Sequence, residues 1–120
     1  MPESKMHNLL IGSLLLTLTG VSAWYGTNLQ FVSEWWKERP LLTITLFAFP
    51  TAFLAYFGTK YTYLALDESL WGVRLFGYGL SYLVFPVLTW YYLGESMFNA
   101  KTLVCIALSV AILLVQLFWK

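Results

Sequence analysis

The sequence predicts an all-α membrane protein: a single domain, residues 1–120, folded as a four-transmembrane-helix bundle. Of the 120 residues, 59% are hydrophobic and only 11% are charged, and the mean hydropathy is +0.68. Soluble domains carry roughly 25% charged residues, which cover their water-facing surface. Four apolar segments, each long enough for a hydrocarbon core about 30 Å thick, alternate with short polar intervals.

The first span is predicted over residues 6–25, after a short polar start. A secretory signal peptide has a similar pattern, and Val21-Ser22-Ala23 resembles its cleavage site. The charge of the leading segment is weak, however, because Glu3 offsets Lys5. We therefore expect a retained transmembrane helix.

The second span is predicted over residues 40–57. Pro40 suits the first turn of a helix, where its missing N–H costs nothing. Pro50 lies inside the span, where a proline is expected to kink or break a helix. Trp35 and Trp36, beside charged residues, indicate an anchor at the membrane surface before this span.

The third span, residues 70–93, contains residue types that are costly in a membrane helix unless packing or function requires them. Asp67 and Glu68 are expected at its start, where the helix dipole favours negative charge. The unusual residues inside it are Gly72, Arg74, Gly77, Gly79, Ser81 and Pro86.

The fourth span covers residues 100–119, and Asn99 is its expected N-cap. Ala107 and Ala111 in this span, like Gly77 and Ser81 in the third, form a small-xxx-small pair that lets helix backbones approach closely in lipid. The partner of each pair is a helix of the same chain or of another chain. Together with Gly79 and Pro86, these residues are the predicted packing and hinge positions.

Composition and motifs exclude several classes of function. The formal net charge is +1 and no cluster of Lys and Arg indicates nucleic-acid binding. No nucleophile–base arrangement, metal-spaced ligand set or phosphate-binding loop is found, so we expect neither catalysis nor a cofactor. Gly77-Tyr78-Gly79 matches part of a potassium-channel filter, but Leu75-Phe76 precede it instead of Thr-Val, and it lies inside a helix.

The loop charges give no preferred orientation in the membrane. With four spans, one side carries Lys5, Lys60 and Lys120, and the other carries Lys37, Arg39 and Lys101. The positive-inside rule depends on an asymmetry that is missing here. Insertion in both orientations would allow an antiparallel homodimer.

Arg74 gives the most specific functional hypothesis in the sequence. It lies about six residues into the third helix, roughly 10 Å below its start. One interpretation is structural: the side chain extends back to the interface, or pairs with Asp67. The other is that Arg74 faces an internal cavity and attracts an anionic ligand, since an intramembrane ionisable residue is a functional hypothesis by default.

Two polar stripes accompany Arg74. Ser13, Thr17, Gly20 and Trp24 share one face of the first helix, and Arg74, Tyr78, Ser81 and Phe85 share one face of the third. Hydrogen bonding between helices is the plain explanation of the first stripe. A cavity lining is the alternative.

The layout of the whole chain resembles the drug/metabolite transporter superfamily, and within it the four-helix small multidrug resistance proteins. The glycine-rich third helix, the Tyr92–Glu95 turn and the small residues of the fourth helix carry the resemblance. The stretch Ala23-Trp24-Tyr25-Gly26 is similar to an uncharacterised four-helix branch of that superfamily.

The resemblance implies a homodimer, often antiparallel, with a binding cavity between the first three helices of two subunits. Multidrug members carry a membrane-embedded Glu in the first helix, and aligning the chain on Gly20 places Thr17 at that position. Arg74 aligns with a substrate-lining Tyr. These departures disfavour proton-coupled export of cationic drugs and favour a neutral or anionic metabolite.

The leading hypothesis is therefore a dimeric, transporter-like protein of an inner or plasma membrane. Its site would comprise Thr17, Trp24, Arg74 and Tyr78, and its third helix would flex during alternating access. The alternative is a structural or accessory membrane subunit that transports nothing and whose polar stripes only pack helices.

Overall fold

The computed structural model describes residues 2–119, and this part of the chain is helical without strands. The helices are α1 (Glu3–Val32), the short α2 (Glu34–Lys37), α3 (Pro40–Ala65), α4 (Leu70–Leu93) and α5 (Ala100–Phe118). Among the described residues, four helices are long and apolar enough to cross a membrane: α1, α3, α4 and α5. The chain is thus an integral, multi-pass membrane protein.

Two helices extend well beyond the apolar segments that predicted them. α1 continues past residue 25 to Val32, and α3 continues past residue 57 to Ala65. Polar side chains end a hydrophobic segment but leave the backbone free to remain helical. The helix α3 also continues through Pro50 instead of breaking there. Lys120, which follows the fourth predicted span, lies outside the described residues.

Polar side chains determine where the later helices begin. The Asn99 side chain accepts a hydrogen bond from the Thr102 amide at 2.9 Å, as its predicted role as N-cap requires. At α4 the cap is Ser69, whose hydroxyl accepts from the Gly72 amide. Asp67 therefore lies in the turn before the helix and not in its first turn, with φ of 56°.

The long helices form a row and not a square bundle. α1 packs between α3 and α4, and α5 packs on α4 at the edge of the row. Because α1 separates them, α3 and α4 contact each other only slightly. A small core of Leu9, Leu16, Ala65 and Phe76 joins α1, α3 and α4.

Glycines allow close contacts between neighbouring helices. At the α1–α3 contact, Gly12 lies against Thr62, which is 0% exposed. At the α4–α5 contact, Gly79 lies against the side chain of Leu113 and the carbonyl of Ser109. A side chain at either glycine would separate the backbones, so these residues set the interhelical distances.

We expect Gly94→Ala to lower the free energy of unfolding by about 1 kcal/mol, because Gly94 ends α4 in the left-handed conformation with φ of 69°. No atom of the described residues lies within 4 Å of the added Cβ, so the cost is that of the backbone conformation alone. Gly94→Asn should cost less, since Asn tolerates this conformation better. Equal stability of all three proteins in detergent unfolding titrations would contradict this account of the helix end.

Candidate functional site

Arg74 lies on an exposed face of α4, four residues after the first helical residue, Leu70. At 1.5 Å per residue it is roughly 6 Å from the helix start, closer than the sequence suggested. Its Nε–H donates a hydrogen bond to the Tyr78 hydroxyl at 2.9 Å. The guanidinium carbon also lies 5.0 Å from the centre of the Tyr78 ring.

The predicted alternative, a pair between Arg74 and Asp67, is not formed. Asp67 instead makes an ion pair with Lys5 at the start of α1. This pair ties the α3–α4 turn to the first turns of α1. Within residues 2–119, Arg74 has no carboxylate within ion-pair distance, so Tyr78 is its described polar partner.

The Arg74 groove is a depression of about 400 Å³ lined by Thr59, Leu70, Trp71, Val73 and Arg74. It contains residues of both α3 and α4, the two helices that α1 holds apart. Among the described residues, no carboxylate lines it. The positive end of the α4 dipole adds to the charge of Arg74, so the groove suits an anion or an acceptor-rich neutral molecule.

Trp24 lies elsewhere, in the packed interior. Its side chain is 3% exposed, and its indole N–H donates to the Thr89 hydroxyl at 3.0 Å. The indole also stacks on Tyr92 with ring centres 5.3 Å apart. Trp24 therefore joins α1 to the C-terminal half of α4, far along that helix from Arg74.

Of the first polar stripe, Gly20 and Trp24 contact α4, whereas Thr17 forms its hydrogen bond within α1. The Thr17 hydroxyl donates to the carbonyl of Ser13 on its own helix at 2.7 Å. A Cβ added at Gly20 would lie 3.6 Å from Ser81 of α4. The structure thus brings Arg74 and Tyr78 together but gives them no described contact with Thr17 or Trp24.

The predicted packing positions divide between inner and outer faces. Gly79 is buried against α5, and Ser81 lies beside α1. In contrast, Ala107 and Ala111 are exposed on α5. The helix α4 is continuous from Leu70 to Leu93 across the predicted hinge positions.

Two features of the tertiary structure were missed in the sequence. Ser22 and Thr51 share a hydrogen bond of 2.7 Å between α1 and α3, and the hydroxyls of Tyr25 and Tyr92 share one of the same length. A polar residue in an apolar span signals such a pair, but only the helix arrangement identifies the partner. The second feature is a cleft of about 590 Å³ between α4 and α5, lined by residues in the range 82–112.

Comparisons of the chain with protein families, with curated proteins and with solved structures find no match in any of the three.

Proposed function

We propose that the protein is a small transporter-like membrane protein of the drug/metabolite transporter type, dimeric, which moves a small neutral or anionic metabolite by alternating access. An inner or plasma membrane is its proposed location. The observation that carries the proposal is the Arg74 groove. Its guanidinium lies in a membrane-spanning helix, is hydrogen-bonded to Tyr78 and forms no ion pair with any carboxylate of the described residues.

The energetics of Arg74 support a ligand site. Inserting an arginine into the membrane costs at least about 2.5 kcal/mol of free energy at the centre of a transmembrane helix, and less towards the interface. Arginines inside such helices are therefore rare and usually have a function. Tyr78 orients the guanidinium but cannot neutralise it. A bound carboxylate or phosphate would neutralise it and make charge-assisted hydrogen bonds.

The same groove supports the proposal of a dimer. The residues that line the groove come from α3 and α4 of one chain and form one wall of the proposed cavity, and a second copy would supply the other wall. The three-to-three balance of loop charges is compatible with an antiparallel pair. In the proposed cycle, α4 flexes at Gly77, Gly79 and Pro86, where glycines and a missing N–H weaken the helix.

The hydrogen bonds of Trp24 and Thr17 favour a second candidate function, that of a structural or accessory membrane subunit. Both side chains were predicted to line the cavity, and both form hydrogen bonds within the chain. If the Arg74 side chain extends to the headgroup layer and binds no ligand, the two polar stripes serve only to pack helices together. Transport assays on Arg74 variants separate the two functions.

We expect Arg74→Ala to reduce uptake of small anions into proteoliposomes at least tenfold, the effect of losing roughly 1.4 kcal/mol of binding. The assay uses radiolabelled benzoate, succinate, phosphate and glucose, with tetraphenylphosphonium as the cationic comparison.

The matched control is Arg39→Ala. The guanidinium carbon of Arg39 lies 4.3 Å from the centre of the Trp35 ring, an arrangement similar to that of Arg74 over Tyr78, but Arg39 lies outside the long helices. Uptake of none of these probes by the wild type, or uptake unchanged by Arg74→Ala, would favour the accessory subunit.

A further inference from the structure

The α4–α5 cleft lies further along α4 than the Arg74 groove, towards the opposite membrane surface. The two helices touch closely where Gly79 meets Leu113 and Ser109. Beyond this contact α4 carries larger side chains, and residues 94–99 separate the helix ends. The helices therefore diverge and leave about 590 Å³ between them, within the range of roughly 300–1,000 Å³ typical of ligand sites.

The lining of the cleft changes from apolar at its depth to charged at its mouth. Apolar and aromatic side chains form most of the inner wall, including Tyr82, Phe85, Pro86 and Ile112. Glu95 and Lys101 line the end of the cleft near the α4–α5 loop. Pro86 has no N–H to donate to the Tyr82 carbonyl, which leaves that acceptor at the cleft wall.

The dimensions of the cleft match one lipid leaflet. From Ala100, where α5 begins, to Ile112 at the deep end, twelve helical residues span about 18 Å. One leaflet contributes about 15 Å of hydrocarbon to a bilayer. An acyl chain lying along the cleft would therefore reach from the membrane surface almost to its inner end.

The two charged residues at the mouth of the cleft indicate which lipid headgroup would bind there. Glu95 and Lys101 are both exposed, and among the described residues neither forms an ion pair, with each other or with a third group. Lys101 complements a phosphate and Glu95 complements an ammonium group. A headgroup that carries both charges satisfies both residues at once, whereas an anionic headgroup would meet repulsion from Glu95.

We propose that the α4–α5 cleft is a binding site for a zwitterionic phospholipid with a primary amine, of the phosphatidylethanolamine class. One acyl chain lies between Phe85 and Cys105, the phosphate contacts Lys101, and the ammonium group donates to Glu95. The site is independent of the Arg74 groove, because the two share no residue.

Native mass spectrometry of the detergent-released protein tests the headgroup. The protein is equilibrated with equal amounts of phosphatidylethanolamine and phosphatidylglycerol. We expect the wild type to retain phosphatidylethanolamine about fivefold better, the ratio that corresponds to one exposed charge contact. Glu95→Gln should abolish this preference, and Lys101→Gln should reduce retention of both lipids.

Lys60→Gln and Glu68→Gln are the controls, since both are exposed charges outside the cleft. The proposal is overturned if wild type retains both lipids equally, or if the control variants change the preference as much as Glu95→Gln.

A second pair of variants tests the position of the acyl chain. Cys105 lines the cleft, whereas its neighbour Val104 is 58% exposed and does not line it. Cys105→Phe should fill the cleft and abolish phosphatidylethanolamine retention, and Val104→Phe should leave it unchanged. Equal retention by these two variants would place the lipid elsewhere and refute the site.

Discussion

Replacing Trp24 with alanine should lower the free energy of unfolding by about 3–5 kcal/mol, the range measured for buried aromatic side chains. The indole is 3% exposed, so its removal leaves a cavity between α1 and α4. The change also removes the hydrogen bond to Thr89 and the stack on Tyr92. Far-UV circular dichroism during unfolding in mixed detergent micelles measures the loss.

Trp24→Phe separates the hydrogen bond from the packing. Phenylalanine keeps most of the aromatic contact with Tyr92 but leaves the Thr89 hydroxyl without its donor, at a cost of about 1–3 kcal/mol. Trp35→Ala is the control, because Trp35 is 49% exposed and should cost far less. If Trp24→Ala leaves stability unchanged but abolishes uptake, Trp24 belongs to a ligand site and not to the core.

Gly12→Ala should lower the free energy of unfolding by about 2 kcal/mol through overpacking of the α1–α3 contact. An added Cβ would lie 2.2 Å from the Thr62 hydroxyl oxygen and 2.8 Å from the Thr62 backbone nitrogen. The hydroxyl could be removed by Thr62→Ala, but the backbone contact would persist. We therefore expect the double variant to recover only part of the lost stability.

Gly77→Ala is the matched control, since a Cβ there would lie 3.8 Å from Leu16, an ordinary contact distance. Because alanine is the better helix former, this change should be neutral or stabilising by up to about 1 kcal/mol. The same micelle titrations compare both variants. An equal loss at Gly12 and Gly77 would show that helix flexibility, and not the close contact with Thr62, is what glycine provides.

Much of the fold could be predicted because the bilayer imposes strong local rules. Backbone groups in hydrocarbon must bond within their own segment, so each long apolar run had to be a helix. The N-cap at Asn99 was readable because an amide side chain before an apolar run satisfies free N–H groups. The extents of α1 and α3 were harder to predict, since polarity marks the membrane boundary and not the end of a helix.

The candidate site could be predicted only within one helix. Arg74 and Tyr78 are four residues apart, a spacing that places them together on any α-helix. Assigning Thr17 and Trp24 to the same cavity required knowledge of how α1 is rotated against α4. The structure turns Trp24 towards Thr89, a contact that a shared polar stripe could not specify.

The sequence by itself determined that this chain spans a membrane with four helices and carries one arginine inside a span. Composition and local periodicity are sufficient for both, because they depend on neighbours along the chain. Only the tertiary structure decided that Asp67 pairs with Lys5, that α1 lies between α3 and α4, and that α4 and α5 diverge into a cleft. Within lipid, the hydrophobic effect does not favour one helix partner over another. Close packing contacts such as that of Gly12 with Thr62 therefore determine which helices lie side by side.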